Sequence, residues 1–188
     1  MEIIACHNCT DFDTFASMVA AKKIYPEAGL VFSGIFDTNV KKFMTLHNDL
    51  TSSTISIKNI DLSQIKKLII VDTRLPDRLG PLKKILDNHD VEIHVYDHHP
   101  YHQEDIIGSV NVIKSVGSTA TLLVEIIKKR NITLIPGEAT LFLLGIYEDT
   151  GSLTFSTTRT LDIDMASYLL SRGANLDIVA RYINRPLS

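Results

Sequence analysis

Apolar, β-branched runs recur along the chain at residues 3–6, 30–35, 68–71, 93–96 and 110–113, with helical spacing between most of them. Each run is nearly continuous in hydrophobicity, as expected of strands covered by helices on both faces. The pattern predicts an α/β fold: a doubly wound, mainly parallel five-stranded sheet flanked by helices. After the first run, Phe12, Ala16, Val19, Ala20 and Ile24 make one helical stripe that Pro26 stops. Residues 7–13 are therefore the turn between the first strand and the first helix. The spacing predicts further helices over 118–129, 136–149, 160–170 and 176–183, with weaker helical signals at 61–67 and 81–88. Residues 55–57 read as an additional edge strand. No internal repeat, low-complexity tract or internal linker divides the chain.

With 188 residues, 45% hydrophobic and 22% charged, the chain can build one substantial core, so residues 1–188 are expected to form a single domain. The longest apolar stretches, such as 139–147, fall far short of the roughly 20 residues that span a bilayer. Met1 and Glu2 run straight into a strand without a basic signal region, and a soluble cytoplasmic protein is expected, with no membrane partner. A net charge of −3 gives no overall pull toward nucleic acid, so a polyanionic substrate must be attracted locally. Cys6 and Cys9 have redox-motif spacing, but two cysteines make no disulfide framework and His7-Asn8 between them lacks the redox signature. They are read as structural or incidental thiols.

Five short pieces place metal-type ligands where an open α/β sheet gathers them, at the carboxyl ends of strands. They are His7-Asn8-Cys9-Thr10-Asp11-Phe12-Asp13, Asp72, Asp97-His98-His99, Gly117-Ser118-Thr119 and Asp149-Thr150-Gly151. So many carboxylates and imidazoles in one crevice call for a charged cofactor, and two divalent metals would make them tolerable. One aspartate at a helix start is an ordinary cap, but Asp11 and Asp13 beside His7 can diverge toward two metals. Asp72, taken alone, reads equally well as a turn former. His98 and His99 point to different surfaces, so one can ligate a metal while the other contacts substrate or leaving group. His94, inside a strand, and His102, in a polar loop, have no such surroundings in sequence. Gly117-Ser118-Thr119 opens a helix whose amides could receive a phosphate, a weak signal because every helix needs a cap. Asp149 ends a helix, where a carboxylate opposes the dipole unless something positive compensates it. Lys128, Lys129 and Arg130 read as a solvated helix end. Imidazole with carboxylates suits Mn²⁺, and two such ions about 4 Å apart can activate a water in phosphoryl transfer. The chain has no Gly-x-Ser-x-Gly elbow, dinucleotide fingerprint or P-loop, so the residues point to a dinuclear phosphoesterase.

These motifs, in this order over residues 7–159, resemble the DHH phosphoesterase superfamily, named for Asp97-His98-His99. It includes RecJ-like exonucleases, oligoribonucleases, cyclic-dinucleotide phosphodiesterases and manganese pyrophosphatases. The resemblance implies one metal held by His7, Asp11 and Asp72, the other by Asp13, Asp72, His98 and Asp149, and Mn²⁺, or alternatively Mg²⁺, as the cofactor. It places His99 beside the scissile phosphate, has Asp97 orient the histidine pair, and puts Ser118 or Thr119 near the phosphate. Cys9 and Thr10 stand where the family usually has Asn and Pro, and Phe12 where it has a small residue; no ligand is lost. Asp11-Phe12-Asp13, Ile24-Tyr25-Pro26 and Asp72-Thr73-Arg74 are similar to DHH modules fused ahead of CBS domains and a poly(A) polymerase or tRNA nucleotidyltransferase module. Family nucleases continue into a second domain, so residues 184–188 are expected to begin a linker to a missing C-terminal domain. Arg74, Arg78 and Arg159 are candidate phosphate contacts. The expected function is metal-dependent hydrolysis of phosphodiester bonds in short oligonucleotides or nucleotides, within a larger protein that meets RNA. The alternatives are a non-catalytic nucleotide-binding module and a manganese pyrophosphatase. The pyrophosphatase reading is less attractive because no Arg/Lys-rich anion clamp is evident.

Overall fold

The computed structural model describes residues 1–51 and 53–183. The elements, in chain order, are β1 (Glu2–Ala5), β2 (Cys9–Thr10), α1 (Phe12–Ile24), β3 (Gly29–Val31), β4 (Ile35–Phe36), α2 (Thr38–Leu46), β5 (Lys67–Val71), β6 (Glu92–Asp97) and β7 (Val110–Ile113). Four helices follow: α3 (Thr119–Lys129), α4 (Pro136–Asp149), α5 (Thr160–Ser171) and α6 (Leu176–Ile183). The main sheet has five strands in the order β3-β1-β5-β6-β7, and every pairing is parallel. This is the doubly wound sheet that the unbroken apolar runs predict. From β1 the chain winds outward to β3 on one side, then returns to place β5 on the other. The carboxyl ends of β1 and β5 therefore flank the switch point, where such sheets open a crevice.

Side chains alternate along each central strand, so two apolar layers form. Ile4, Ile69, Val71 and Tyr96 pack under α1, α3 and α4, while Ile3, Ala5, Leu68, Ile70 and Val95 face Leu79, Leu82 and Ile85 on the other side. The first helix is buried far beyond one stripe: every residue of α1 except Lys22 and Lys23 is enclosed. It lies between the sheet and α4, and Gly145 permits the approach. A Cβ there would stand 2.8 Å from the Ala16 Cβ and 3.1 Å from the Asp13 Cα. Gly145→Ala is therefore expected to cost about 1–3 kcal/mol through overpacking, read as a lower urea midpoint at unchanged slope. A variant as stable as the parent would show that the two helices can separate without penalty.

Several sequence expectations change in detail. Residues 61–67 form only a single 3₁₀ turn, Leu62–Gln64, before β5 begins. Of residues 81–88, all but Asn88 lie within a 3₁₀ run, Pro76–Asp87, that Gly80 breaks with φ 58° and that Pro81 keeps from becoming an α-helix. Residues 55–57 make no strand; Thr54 forms one isolated parallel bridge to Leu30, and Ile57 opens a 3₁₀ turn. The run at 30–35 is split, because the Ile35 amide bonds the Asn8 carbonyl and the chain pairs β4 with β2 in a separate small sheet. Helix α2 and this small sheet are additions to the sequence reading. Residues 184–188, read as the start of a linker, lie outside the described residues. No helix among the described residues is long and apolar enough to cross a membrane.

Candidate metal centre

The crevice at the switch point collects side chains from five separate segments. His7 follows β1, and Asp11 caps α1, its Oδ1 accepting from the Thr14 amide at 2.9 Å. Asp13, in the first turn of α1, is fully buried and accepts from the amides of Thr119 at 2.8 Å and Ala120 at 2.9 Å, the first turn of α3. Asp72 follows β5 with φ 60°, a left-handed conformation that aspartate tolerates better than most residues. That turn brings its carboxylate to Thr14 Oγ1 at 2.6 Å, Thr119 Oγ1 at 2.9 Å and His7 Nε2 at 3.2 Å. Asp149 is the last residue of α4, and Asp97, the last residue of β6, delivers His98 and His99.

Two histidines are oriented by their second nitrogen. His98 Nδ1 faces the Val116 carbonyl at 3.1 Å, which fixes its proton there and leaves Nε2 as the inward nitrogen. That Nε2 is buried without a hydrogen-bond partner among the described residues, although Asp149 Oδ2 lies 3.2 Å away, Asp72 Oδ1 3.8 Å and Asp13 Oδ2 4.0 Å. His7 Nδ1 accepts from the Cys9 amide at 3.2 Å, so the proton of the neutral ring sits on Nε2 and passes a hydrogen bond through Thr14 toward Asp72. A cation at Nε2 would take the place of that proton and move it to Nδ1, at the expense of the Cys9 contact.

Donor atoms within 4.8 Å of one another form three groups: His7, Asp11 and Asp72; Asp13, His98 and Asp149; and Asp72, His98 and His99. The first and third share Asp72, and the last two share His98. This set fits a pair of hard or borderline divalent cations, because four carboxylates converge with imidazoles around a buried nitrogen that has no hydrogen-bond partner among the described residues. The carboxylates also disturb one another. Burial, then the charge of Asp72, pushes Asp11 up, and burial followed by Asp72 and Asp149 pushes Asp13 well up. Burial also opposes ionisation of Asp72, but the hydrogen bond and charge of His7, with His98, hold it below the usual carboxylate range. Burial lowers His98, yet Asp149 and Asp72 outweigh it and raise the imidazole to about 9.

Arg74, a candidate phosphate contact, is engaged within the protein. Its Nε donates to Asp97 Oδ2 at 2.8 Å, one terminal nitrogen donates to the His99 and Pro100 carbonyls at 2.6 and 2.9 Å, and the other pairs with Asp105 at 3.0 Å. All its reach is used inside the loop. Asp97 in turn bonds His99 Nδ1 through its other oxygen at 2.7 Å. Ser118 Oγ caps α3 by accepting from the Thr121 amide at 3.1 Å, and Thr119 turns toward Asp72, so the first amides of α3 serve Asp13. Arg78 is half-buried in the 3₁₀ run, and exposed Arg159 donates to the Ser156 and Thr158 carbonyls.

Three supporting residues had no clear sequence signal. Thr14 bridges His7 to Asp72, and Asp162 of α5 fixes the start of α3 by accepting from Gly117 N and Thr121 Oγ1. Glu148 accepts from the Phe12 amide at 2.5 Å, and burial, then Asp11 and Asp149, raise it to about 7. Only its position beside Asp149 could have drawn attention to it.

Stripped of divalent cations by a chelator, the protein is expected to lose stability as pH rises. His98, raised from 6.5 to about 9, contributes stability that is complete below the lower value and lost as pH passes through the higher. Glu148, raised from 4.5 to about 7, acts in the same direction over a lower window. The depressed Asp72 acts oppositely, and its contribution disappears only on acidification. Thermal midpoints should therefore fall between pH 6.5 and about 9; midpoints that climb across that interval would contradict the charge arrangement.

The model of the N-terminal domain of the DHH family matches residues 2–146. An A-adding tRNA nucleotidyltransferase of Geobacter sulfurreducens is 38% identical over 188 residues, all of this chain, which spans 21% of that relative's length. The bifunctional oligoribonuclease and PAP phosphatase NrnA of Mycoplasma genitalium is 30% identical over 129 residues, 66% of this chain and 40% of that protein. Among solved structures, a Methanococcus jannaschii protein assigned as a family II inorganic pyrophosphatase superposes with a TM-score of 0.75 at 22% identity, covering 97% of this chain and 60% of the other. That last likeness speaks for the fold. With a family model matching most of its length, and the Asp97-His98-His99 turn after β6 placing both histidines in the ligand cluster, the chain belongs to the DHH family.

Proposed function

We propose that the chain is the metal-bearing domain of a phosphoesterase that hydrolyses phosphodiester bonds of short oligonucleotides or nucleotides with two divalent cations, Mn²⁺ or Mg²⁺. The observation that carries this reading is the convergence of three ligand groups linked through Asp72 and His98. In it His7, Asp11 and Asp72 would hold one cation and Asp13, Asp72, His98 and Asp149 would hold the other, with Asp72 common to both sets. When bound, the pair supplies a nucleophile from water near neutral pH and offsets charge on the leaving oxygen. The chain's own side chains orient the rest. Asp97 holds His99 Nδ1, leaving Nε2 of that half-exposed ring to meet the scissile phosphate or leaving oxygen. Thr119 and Thr14 hold the Asp72 carboxylate in place, and Ser118 caps the helix that steadies Asp13. Arg78 and Arg159, neither in an ion pair among the described residues, are the surface cations proposed to meet phosphate.

The oligoribonuclease relative supports this substrate class. Because the chain corresponds to about a fifth of the nucleotidyltransferase relative, we place it in a larger cytoplasmic RNA-processing protein. There a further domain in cis grips the substrate and meets RNA. Similarity to that relative along the whole chain favours a second reading, a nucleotide-binding module without catalysis. The test is a panel of a dinucleotide, a cyclic dinucleotide, pyrophosphate and an aryl phosphodiester with Mn²⁺. It is assayed in the 188-residue chain and in any longer protein that carries it. Turnover of the dinucleotide ahead of pyrophosphate supports the phosphodiesterase. Nucleotide binding without turnover in either protein selects the regulatory module, and fastest turnover of pyrophosphate selects a manganese pyrophosphatase.

A further inference from the structure

A pocket of about 270 Å³ opens directly beside the candidate metal centre, lined by Cys9, Thr10, Asp11, Ile35, Phe36 and Asp37. Its wall is the small sheet that the sequence reading did not foresee. The pairing is tight: the Ile35 amide bonds the Asn8 carbonyl at 3.0 Å and the Asp37 amide bonds the Thr10 carbonyl at 2.8 Å. Gly34 makes that possible, since a Cβ there would stand 1.9 Å from the Asn8 oxygen. Phe36 is anchored from behind on Phe32, with ring centroids 5.0 Å apart, and Phe32 meets the buried Phe15 at 6.2 Å. Ile35 nevertheless stands 69% exposed on this braced shelf.

The pocket's chemistry restricts its occupant. Asp11 belongs both to the lining and to a ligand group, so whatever enters lies next to a phosphate held at the centre. Among the described residues, no lysine, arginine or histidine lines it, and Asp11 and Asp37 flank its apolar wall. A second phosphate would be repelled there, whereas a neutral planar group can lie on Ile35 and Phe36 and donate hydrogen bonds to the carboxylates. We propose that this pocket is a nucleobase subsite, taking the base of a nucleotide whose phosphate occupies the metal centre. The inference rests on the phosphoesterase reading and sharpens it toward nucleotides and away from pyrophosphate.

The test is calorimetric binding of AMP and of ribose 5-phosphate, which carries the same phosphate without a base, to the Mn²⁺-loaded protein and to Ile35→Ala. Ile35 is exposed and lies outside the ligand groups, so its truncation leaves folding and Mn²⁺ affinity unchanged. AMP should bind about tenfold or more tighter than ribose 5-phosphate, the range that stacking of a base supplies. Ile35→Ala should remove most of that advantage without altering ribose 5-phosphate. Equal affinity for the two ligands, or an advantage that survives Ile35→Ala, overturns the subsite while leaving the metal centre standing. Failure of Mn²⁺ to bind overturns the metal centre, and the subsite with it.

Discussion

Arg74→Ala is expected to lower the free energy of unfolding by about 3–5 kcal/mol, the cost of leaving a buried partner of an ion pair uncompensated. Asp97 is fully buried and the Asp105 side chain nearly so, and both lean on this one guanidinium. The same group satisfies the His99 and Pro100 carbonyls, so its removal also unties the loop that carries the histidine pair. Against a total stability of roughly 5–15 kcal/mol for an ordinary domain, such a loss is large, and urea unfolding would read it directly. Arg74→Lys should recover only part, because an ammonium cannot present the planar fork that reaches four acceptors at once. A residue whose main work was to contact phosphate would behave differently: its loss would weaken substrate binding and leave stability nearly intact. An Arg74→Ala protein within about 1 kcal/mol of the parent would therefore return Arg74 to the substrate side.

Arg74 also marks how far sequence reasoning reaches. The residues that the crevice gathers could be singled out in the sequence because most follow an apolar run at the place where a parallel sheet opens, a regularity set by topology, whereas Asp149 ends a helix. The five strands were legible from their apolar runs: burial on both faces keeps the inner ones unbroken, while the edge strand β7 alternates half-buried and exposed residues. The supporting contacts were not, because they join positions far apart in the chain: 58 residues between Thr14 and Asp72, 47 between Thr119 and Asp72, and 45 between Gly117 and Asp162. A threonine in a helix's first turn looks like a cap whether or not a carboxylate waits across the crevice. The small sheet escaped because its strands have two residues each, too short to show a period. Helix α2 escaped because only Val40 and Phe43 are buried along it. The 3₁₀ run at Pro76–Asp87 carries helical spacing, but Gly80 and Pro81 deny it the backbone of an α-helix.

Asp72→Asn is expected to reduce turnover on the order of a thousandfold, several kcal/mol of transition-state stabilisation, while leaving the fold in place. Asparagine suits the position because it tolerates the left-handed backbone at φ 60° and can still accept from Thr119. What it lacks is the second carboxylate oxygen that would let one side chain serve two cations. The metal-free variant should melt below the parent by the stability that ionised Asp72 contributes, and the gap should widen when Mn²⁺ is added. At a concentration about one hundred times its dissociation constant, a single bound ion adds roughly 2.7 kcal/mol and lifts the midpoint by about 5–10 °C for a chain of this size. Asp72→Asn should lose most of that rise together with hydrolysis. If the variant hydrolyses normally, Asp72 does not bridge; if it keeps the full thermal shift yet loses turnover, Asp72 acts on the substrate and the cations are held without it.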